Sequence, residues 1–168
     1  LGSEAYRFVD FLESTGQTFW QILPLGPTGF GNSPYMCFSA FSDNPLLISL
    51  DKLVEDGFLQ AKEVKDPPPF PKNRVDYGAV LHYKISLLEK SFGRFQKTFS
   101  TKYPDDFYSF SEQNAFWLED YALFMGIKEA HESRVWTQWE QGVRERDADA
   151  LVGWRNRIAE KIQFRKYI

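Results

Sequence analysis

Cysteine is almost absent. Cys37 stands alone in the 168 residues, so no intrachain disulfide can form, which fits a reducing compartment. Histidine is nearly as scarce: His82 and His131 are the two present, which argues against a histidine-based zinc site. No apolar run approaches the ~20 residues of a membrane helix. No Asn-x-Ser/Thr sequon occurs, and no secretory leader pattern opens the chain. An excess of positive charge is missing too. The formal charge is -3 and the pI about 5.5, and nothing in that balance points to a nucleic-acid partner.

Aromatics are plentiful. Phe, Trp and Tyr make up 17% of the chain and hydrophobic residues 43%, enough to fill a core and still supply surfaces that stack on sugars or partners. The length suits one domain. Leu1 opens on a helix start without Met, and Ile168 closes inside a charged, helix-like stretch. The sequence is therefore expected to be a piece of a longer one.

Ser3 is placed to cap a first helix whose apolar face is Ala5, Phe8, Val9 and Leu12, with Gly16 as its stop. Thr18 to Leu23 is large and apolar at nearly every position, the pattern of a strand buried on both faces in a parallel sheet. Leu46-Leu47-Ile48 is a second, short strand candidate. The remainder reads as helical. Leu50 to Glu55 is a short helix ended by Gly57. Asp66 to Pro71 is an extended, proline-rich linker. A long helix is predicted from about Asp76 to Phe99, with Tyr77, Val80, Leu81, Leu88, Phe92, Phe95 and Phe99 on one stripe. A second follows Pro104 and carries Phe107, Phe110, Trp117, Leu118, Tyr121, Phe124 and Met125. A third runs from about Arg144, with Ala148, Leu151, Val152, Ile158, Ala159 and Ile162.

Several chemical motifs fail on inspection. Gly26, Gly29 and Gly31 are in the wrong order for a dinucleotide fingerprint and lack the Gly-Lys-Ser/Thr of a phosphate loop. Gly31 to Tyr35 is not a nucleophile elbow. His131-Glu132 has no second histidine to complete a zinc-protease motif. Cys37 reads as a small buried apolar residue. Of the acidic pairs, Asp105-Asp106 suits a positive helix N-terminus. Neighbours such as Glu119-Asp120 point apart on a helix, and Asp147 with Asp149 reads as a solvated helix start. No metal or cofactor is implied.

The richest segment is the loop Pro24 to Pro45, with three glycines and four prolines in a defined path. It follows the C-terminal end of the expected strand, where parallel α/β proteins bind ligands. Phe30 and Tyr35 are either loop packing or faces for a sugar ring. Ser33 and Asn44 are either turn stabilisers or partners for sugar hydroxyls. Phe38 and Phe41 read as loop core. The residues by themselves go as far as a polar-aromatic ligand loop.

The string Trp20-Gln-x-Leu-Pro-Leu-Gly-Pro-Thr-Gly-Phe-Gly-x-Ser-Pro-Tyr35, then Phe38-Ser-Ala-Phe41 and Asn44-Pro45, resembles the 4-alpha-glucanotransferase family of glycoside hydrolases, the amylomaltases or disproportionating enzymes. The similarity continues through Arg74-Val-Asp-Tyr77 and Phe116 to Phe124, and so spans nearly the whole chain. The resemblance implies an α/β fold. Residues 1–49 would be part of a (β/α)8 barrel, its first helix and second strand, with the substrate loop at 24–45. Residues 50–143 would be a helical insertion, and 144–168 the start of a helix returning to the barrel. It implies transfer of α-1,4-glucan segments between maltodextrins by a retaining double displacement, in the cytoplasm or a plastid, with no nucleic-acid or membrane partner. Tyr35 matches the family's aromatic platform near the scissile sugar, and Ser33 a neighbouring contact. Phe30 stands where relatives carry Tyr, at a remoter glucan position. Asn44 and Pro45 complete the substrate-binding set. The catalytic carboxylates belong to later barrel strands. The rival expectations are a non-catalytic carbohydrate-binding domain and a helical interaction protein using Phe107 to Trp139, with Trp136 and Trp139 as its surface.

Overall fold

The computed structural model describes residues 1–99 and 104–168. The chain divides into two units, Leu1–Ser100 and Thr101–Ile168, a division that falls inside the 50–143 segment.

In the first unit, α1 spans Ser3–Ser14. Its N-cap is Gly2, without a side-chain cap bond, and Ser3 is already the first helical residue. Gly16 ends it as expected. At φ +74° it lets its own N–H reach Glu13 O (2.9 Å) and the Gln17 N–H reach Leu12 O (2.9 Å), the two bonds of a Schellman stop. Phe8 and Val9 are exposed, so the apolar face of α1 is not a core face here. Phe8 instead meets Trp20 edge-on, with centroids 4.9 Å apart.

The expected strand at Thr18 to Leu23 does not form. The segment has no ladder partner, and Phe19 is 93% exposed. A strand is defined by its neighbours, and among the described residues the only β pairing is the isolated antiparallel bridge Thr28–Cys37. Leu46 to Ile48 is not a strand either. Pro45–Leu47 is a 3-10 turn, started by Pro45, whose φ is already set for a helical turn, and capped by Asn44. The described residues are thus mostly helical, without the sheet of an α/β fold.

Capping residues fix the helices that follow. α2, Leu50–Glu55, starts at Ser49, whose hydroxyl accepts from Lys52 N–H, and stops at Gly57. Ala61–Val64, the short α3, was not legible as a helix. A capping box opens it, with the Gln60 N–H donating to Glu63 Oε2 at 2.9 Å. α4, Tyr77–Thr98, begins at Asp76, which accepts from Ala79 N–H (3.1 Å). It buries Leu87, Leu88, Ser91, Phe92 and Phe95, whereas Leu81 stays exposed. Phe58 packs on α4 at 5.8 Å from Phe95 and 6.5 Å from Phe99.

An ion pair ties α3 to α4. Arg94 donates to both Glu63 oxygens, at 2.7 and 3.0 Å, and to Phe58 O at 3.1 Å. Hydrogen bonds from Arg94, then from the Gln60 N–H, hold the Glu63 carboxyl down to about 2.

The second unit departs from the sequence reading at two breaks. The helix after Pro104 is two: α5 (Asp105–Gln113) and α6 (Ala115–Ala130). Asn114 sits between them. Its amide donates to Phe110 O (2.9 Å) and its carbonyl accepts from the Trp117 indole (3.0 Å), serving one helix end and the next. The last helix is also divided, at Ile158, into α8 (Ala148–Arg157) and α9 (Ala159–Tyr167), preceded by the short α7 (Gln141–Arg144). Asp147 caps α8 by accepting from Ala150 N–H at 2.9 Å.

The core of this unit is Ala122, Leu123, Ile127, Trp139, Val143, Leu151, Ile158 and Ile162. α6 packs on α9 and on the residue between α8 and α9. A Cβ at Gly126 would stand 2.8 Å from Ile158 Cδ1, so the glycine admits that close approach. Through the core runs a stack of flat groups. Phe124 meets Trp139 at 5.4 Å, Trp139 meets His131 at 5.3 Å, His131 meets Trp154 at 5.1 Å, and the Arg157 guanidinium lies 4.6 Å from the Trp154 ring. His131 Nδ1 bonds Ile127 O and Nε2 bonds Glu140 Oε2, both at 2.8 Å.

Candidate functional site

The loop from Pro24 to Pro45 is closed by its own backbone. At the neck, Asn44 N–H donates to Leu25 O at 2.8 Å. Further out, Phe38 N–H donates to Pro27 O at 3.4 Å, beside the Thr28–Cys37 bridge. Pro27 is buried between the two limbs. Here the limbs come so close that a Cβ on Gly29 would lie 2.2 Å from Met36 O, a contact only glycine avoids. The tip is a 3-10 turn, Phe30–Asn32, in which Gly31 (φ +67°) and Asn32 (φ +56°) both adopt the left-handed region. Tyr35 N–H then donates to Ser33 Oγ (3.3 Å) and Met36 N–H to Ser33 O (3.2 Å). Ser39 Oγ accepts from both Phe41 N–H and Ser42 N–H at 3.1 Å.

This bracing holds side chains out rather than in. Phe30 is 87% and Tyr35 72% exposed. Ser33 is half-buried and turned to its own backbone. Asn44 Oδ1 accepts from Leu46 N–H at 2.9 Å, so Asn44 and Pro45 build the turn at the neck. Three expectations are corrected. Cys37 is exposed rather than buried, and Phe38 and Phe41, read as loop core, are exposed as well. The space between the limbs is taken by Pro27 and the close backbone approach at Gly29, so Phe38 reaches Gly29 only with its ring edge and stays 40% exposed. The loop holds one carboxylate, Asp43, whereas retaining glycoside chemistry uses two. Its equipment is aromatic faces, hydroxyls and fixed amides, which suits binding a polyhydroxylated ring.

The acidic pairs elsewhere have structural partners. Lys166 pairs with Glu119, while Asp120 faces Arg146 (2.8 Å) and Arg155 (3.9 Å). Asp105 and Asp106 lie in the first turn of α5, and Asp147 caps α8. Burial pushes the Glu129 carboxyl up, but hydrogen bonds from Lys161 and Arg165 outweigh it and leave its pKa lowered. Trp139 belongs to the core and Trp136 is exposed. Both line a cleft of about 320 Å³ with Phe124, Asp120 and Arg146. Among the described residues, no group of His, Cys, Asp and Glu could hold a metal ion, and no helix is long and apolar enough to cross a membrane.

A sequence profile described as 4-alpha-glucanotransferase matches residues 1–168. The chain belongs to the 4-alpha-glucanotransferase family. It is 44% identical over 168 residues to a 4-alpha-glucanotransferase of Synechocystis sp., covering 100% of this chain and 33% of the relative. It is 42% identical over 167 residues to one of Thermus thermophilus, covering 99% and 33%. Among solved structures it is similar to the amylomaltase from Streptococcus agalactiae in complex with acarbose. The TM-score is 0.88 at 35% identity, over 99% of this chain and 33% of that one. The chain thus spans about a third of the length of the 4-alpha-glucanotransferases it matches. The mostly helical course described above is a course this family adopts.

Three features of the structure escaped the sequence: the bonds from Lys84 to Leu46 O and Ile48 O, the Glu63–Arg94 pair, and Asn114. The first two join residues far apart in sequence, which no local pattern reports. Asn114 could have been found, since asparagine is a favoured residue at helix ends.

Proposed function

We propose that this protein transfers α-1,4-glucan segments between maltodextrins, and that residues 24–45 supply part of its sugar site. The observation that carries this reading is the family match over the whole chain, taken with a loop of that family that holds Tyr35 and Phe30 out on a fixed backbone. Tyr35 offers a face for the C–H side of a glucose ring, and the hydroxyls of Tyr35 and Ser33 offer hydrogen bonds. A braced loop loses little freedom when sugar binds. Phe30 stacks without the hydroxyl of a tyrosine and so contributes contact area alone.

On this reading the reaction is a double displacement. One carboxylate attacks the anomeric carbon and a second, about 5–5.5 Å away, protonates the leaving oxygen. The 4-hydroxyl of an acceptor glucan then displaces the enzyme carboxylate, returning the proton to the second group. Transfer outruns hydrolysis where the acceptor is held and water kept out. The two carboxylates are assigned outside residues 1–168, because the acidic pairs of this chain serve as caps or ion pairs. The extended segment Thr18 to Leu23 is assigned to a parallel barrel sheet whose other strands also lie outside these residues.

Incubation with maltotriose tests both parts. The full-length protein is expected to yield glucose and longer maltodextrins, and residues 1–168 alone neither. Transfer by the 168-residue chain would refute the assignment of the carboxylates, and absence of transfer by the full-length protein the activity itself. Amide exchange at Thr18 to Leu23 should be slow in the full-length protein and fast in the isolated chain; fast exchange in both would remove the sheet assignment.

A further inference from the structure

We propose that Lys84 is a positioning residue for the sugar loop, holding the neck of the loop through the turn at Pro45–Leu47. Lys84 lies on α4, nearly forty residues beyond the neck in sequence. Its ammonium donates to Leu46 O at 2.5 Å and to Ile48 O at 2.6 Å. These carbonyls are at the exit of the 3-10 turn, where helical geometry leaves acceptors without partners. The lysine is half-buried, and among the described residues its hydrogen-bond partners are these two carbonyls. Burial pushes its pKa down, because removing the ammonium from water disfavours its charged form. A half-buried ammonium persists where its donors are satisfied.

The bonds continue outward. The turn that Lys84 grips is capped on its other side by Asn44 Oδ1, and Asn44 N–H closes the neck on Leu25 O. Helix α4, the turn, the neck and the limbs that carry Phe30 and Tyr35 therefore form one run of hydrogen bonds. α4 is a firm base for it, with Phe92 and Phe95 buried and Arg94 bound to Glu63. Lys84 touches no sugar on this account. It acts by removing the hinge freedom the neck would otherwise have, and its role in turnover rests on the glucanotransferase reading above.

Hydrogen exchange read by mass spectrometry tests it in the full-length protein, with Lys84→Met removing the donors and Lys84→Arg retaining them. Lys84→Met should speed exchange across residues 25–48 by about tenfold, with α6 and α9 unchanged and Lys84→Arg closer to wild type. The same variant should raise KM for maltotriose roughly 3–10-fold, with kcat within about twofold. Asn44→Ala cuts the next link and should give the same exchange signature, which keeps the test open if Lys84→Met does not fold. Unchanged exchange in 25–48, an equal rise in every helix, or a loosened loop with an unmoved KM would each overturn the proposal. The exchange measurement needs no sugar. Absence of transfer in the wild-type protein counts against the glucanotransferase reading and leaves the clamp to be judged by exchange alone.

Discussion

The loop at 24–45 and the aromatic stack of the second unit use the same residue types in opposite ways. In the loop, backbone hydrogen bonds and glycine contacts hold the path, and the rings of Phe30 and Tyr35 face outward. In the stack, the rings themselves hold the structure, with Trp139 only 7% exposed between Phe124 and His131. Removing a ring should therefore cost stability in the stack and binding in the loop. Removing a backbone device should reverse that order.

The largest effect is expected at the stack. Trp139→Ala should destabilise the protein by about 3–5 kcal/mol, the range for deleting a large buried aromatic, measured by denaturant unfolding. Gly29→Ala comes next. Its Cβ has to displace Met36 O, and strain of about 2–3 kcal/mol in the limbs should speed exchange in 25–48 while the exchange of α6 holds.

Glu63→Gln tests a pair that belongs to neither ring set. Losing a charge-assisted, largely buried bond pair should cost about 1.5 kcal/mol at neutral pH. Glu63 has its folded pKa lowered from 4.5 to about 2, so its contribution is present above the unfolded value and is lost as pH falls through the folded one. The gap between wild type and Glu63→Gln should therefore close between pH 4.5 and about 2; a gap constant across that window would remove Arg94 as the cause.

The smallest stability effect is expected at Tyr35→Ala, less than about 0.5 kcal/mol because the ring is exposed. Transfer in the full-length protein should nevertheless fall by on the order of 1–3 kcal/mol, equivalent to roughly 5–150-fold in kcat/KM. Unfolding and kinetics on the same variant compare the two directly, and a large loss of stability would make this ring a packing residue like Trp139.

What the sequence disclosed was local. Gly57 and Asp76 mark helix ends within one turn of themselves, and Leu50–Glu55 and Tyr77–Thr98 lie where the sequence puts them; the Ser49 cap emerged only in the structure. Glycine and proline likewise marked the loop. Pairing was not legible. Thr18 to Leu23 has the composition of a buried strand, but composition cannot supply the neighbouring strand that buries it. No Gly or Pro stands at either break, Asn114 or Ile158, so the periodicity ran through them. Phe38 and Phe41 show the same limit in the site. An apolar ring is equally at home in a core or on a binding surface, and no local pattern reports that the limbs lie close enough to enclose Pro27 and leave these rings at the surface.

The exposed thiol of Cys37 has a practical consequence. It sits on the limb opposite Thr28, and it is the sole cysteine of the 168 residues. A maleimide dye attached there would mark one defined point on the loop and no other in this chain. Its emission would then follow the loop in real time, and a change on adding maltodextrin would test the sugar site proposed above.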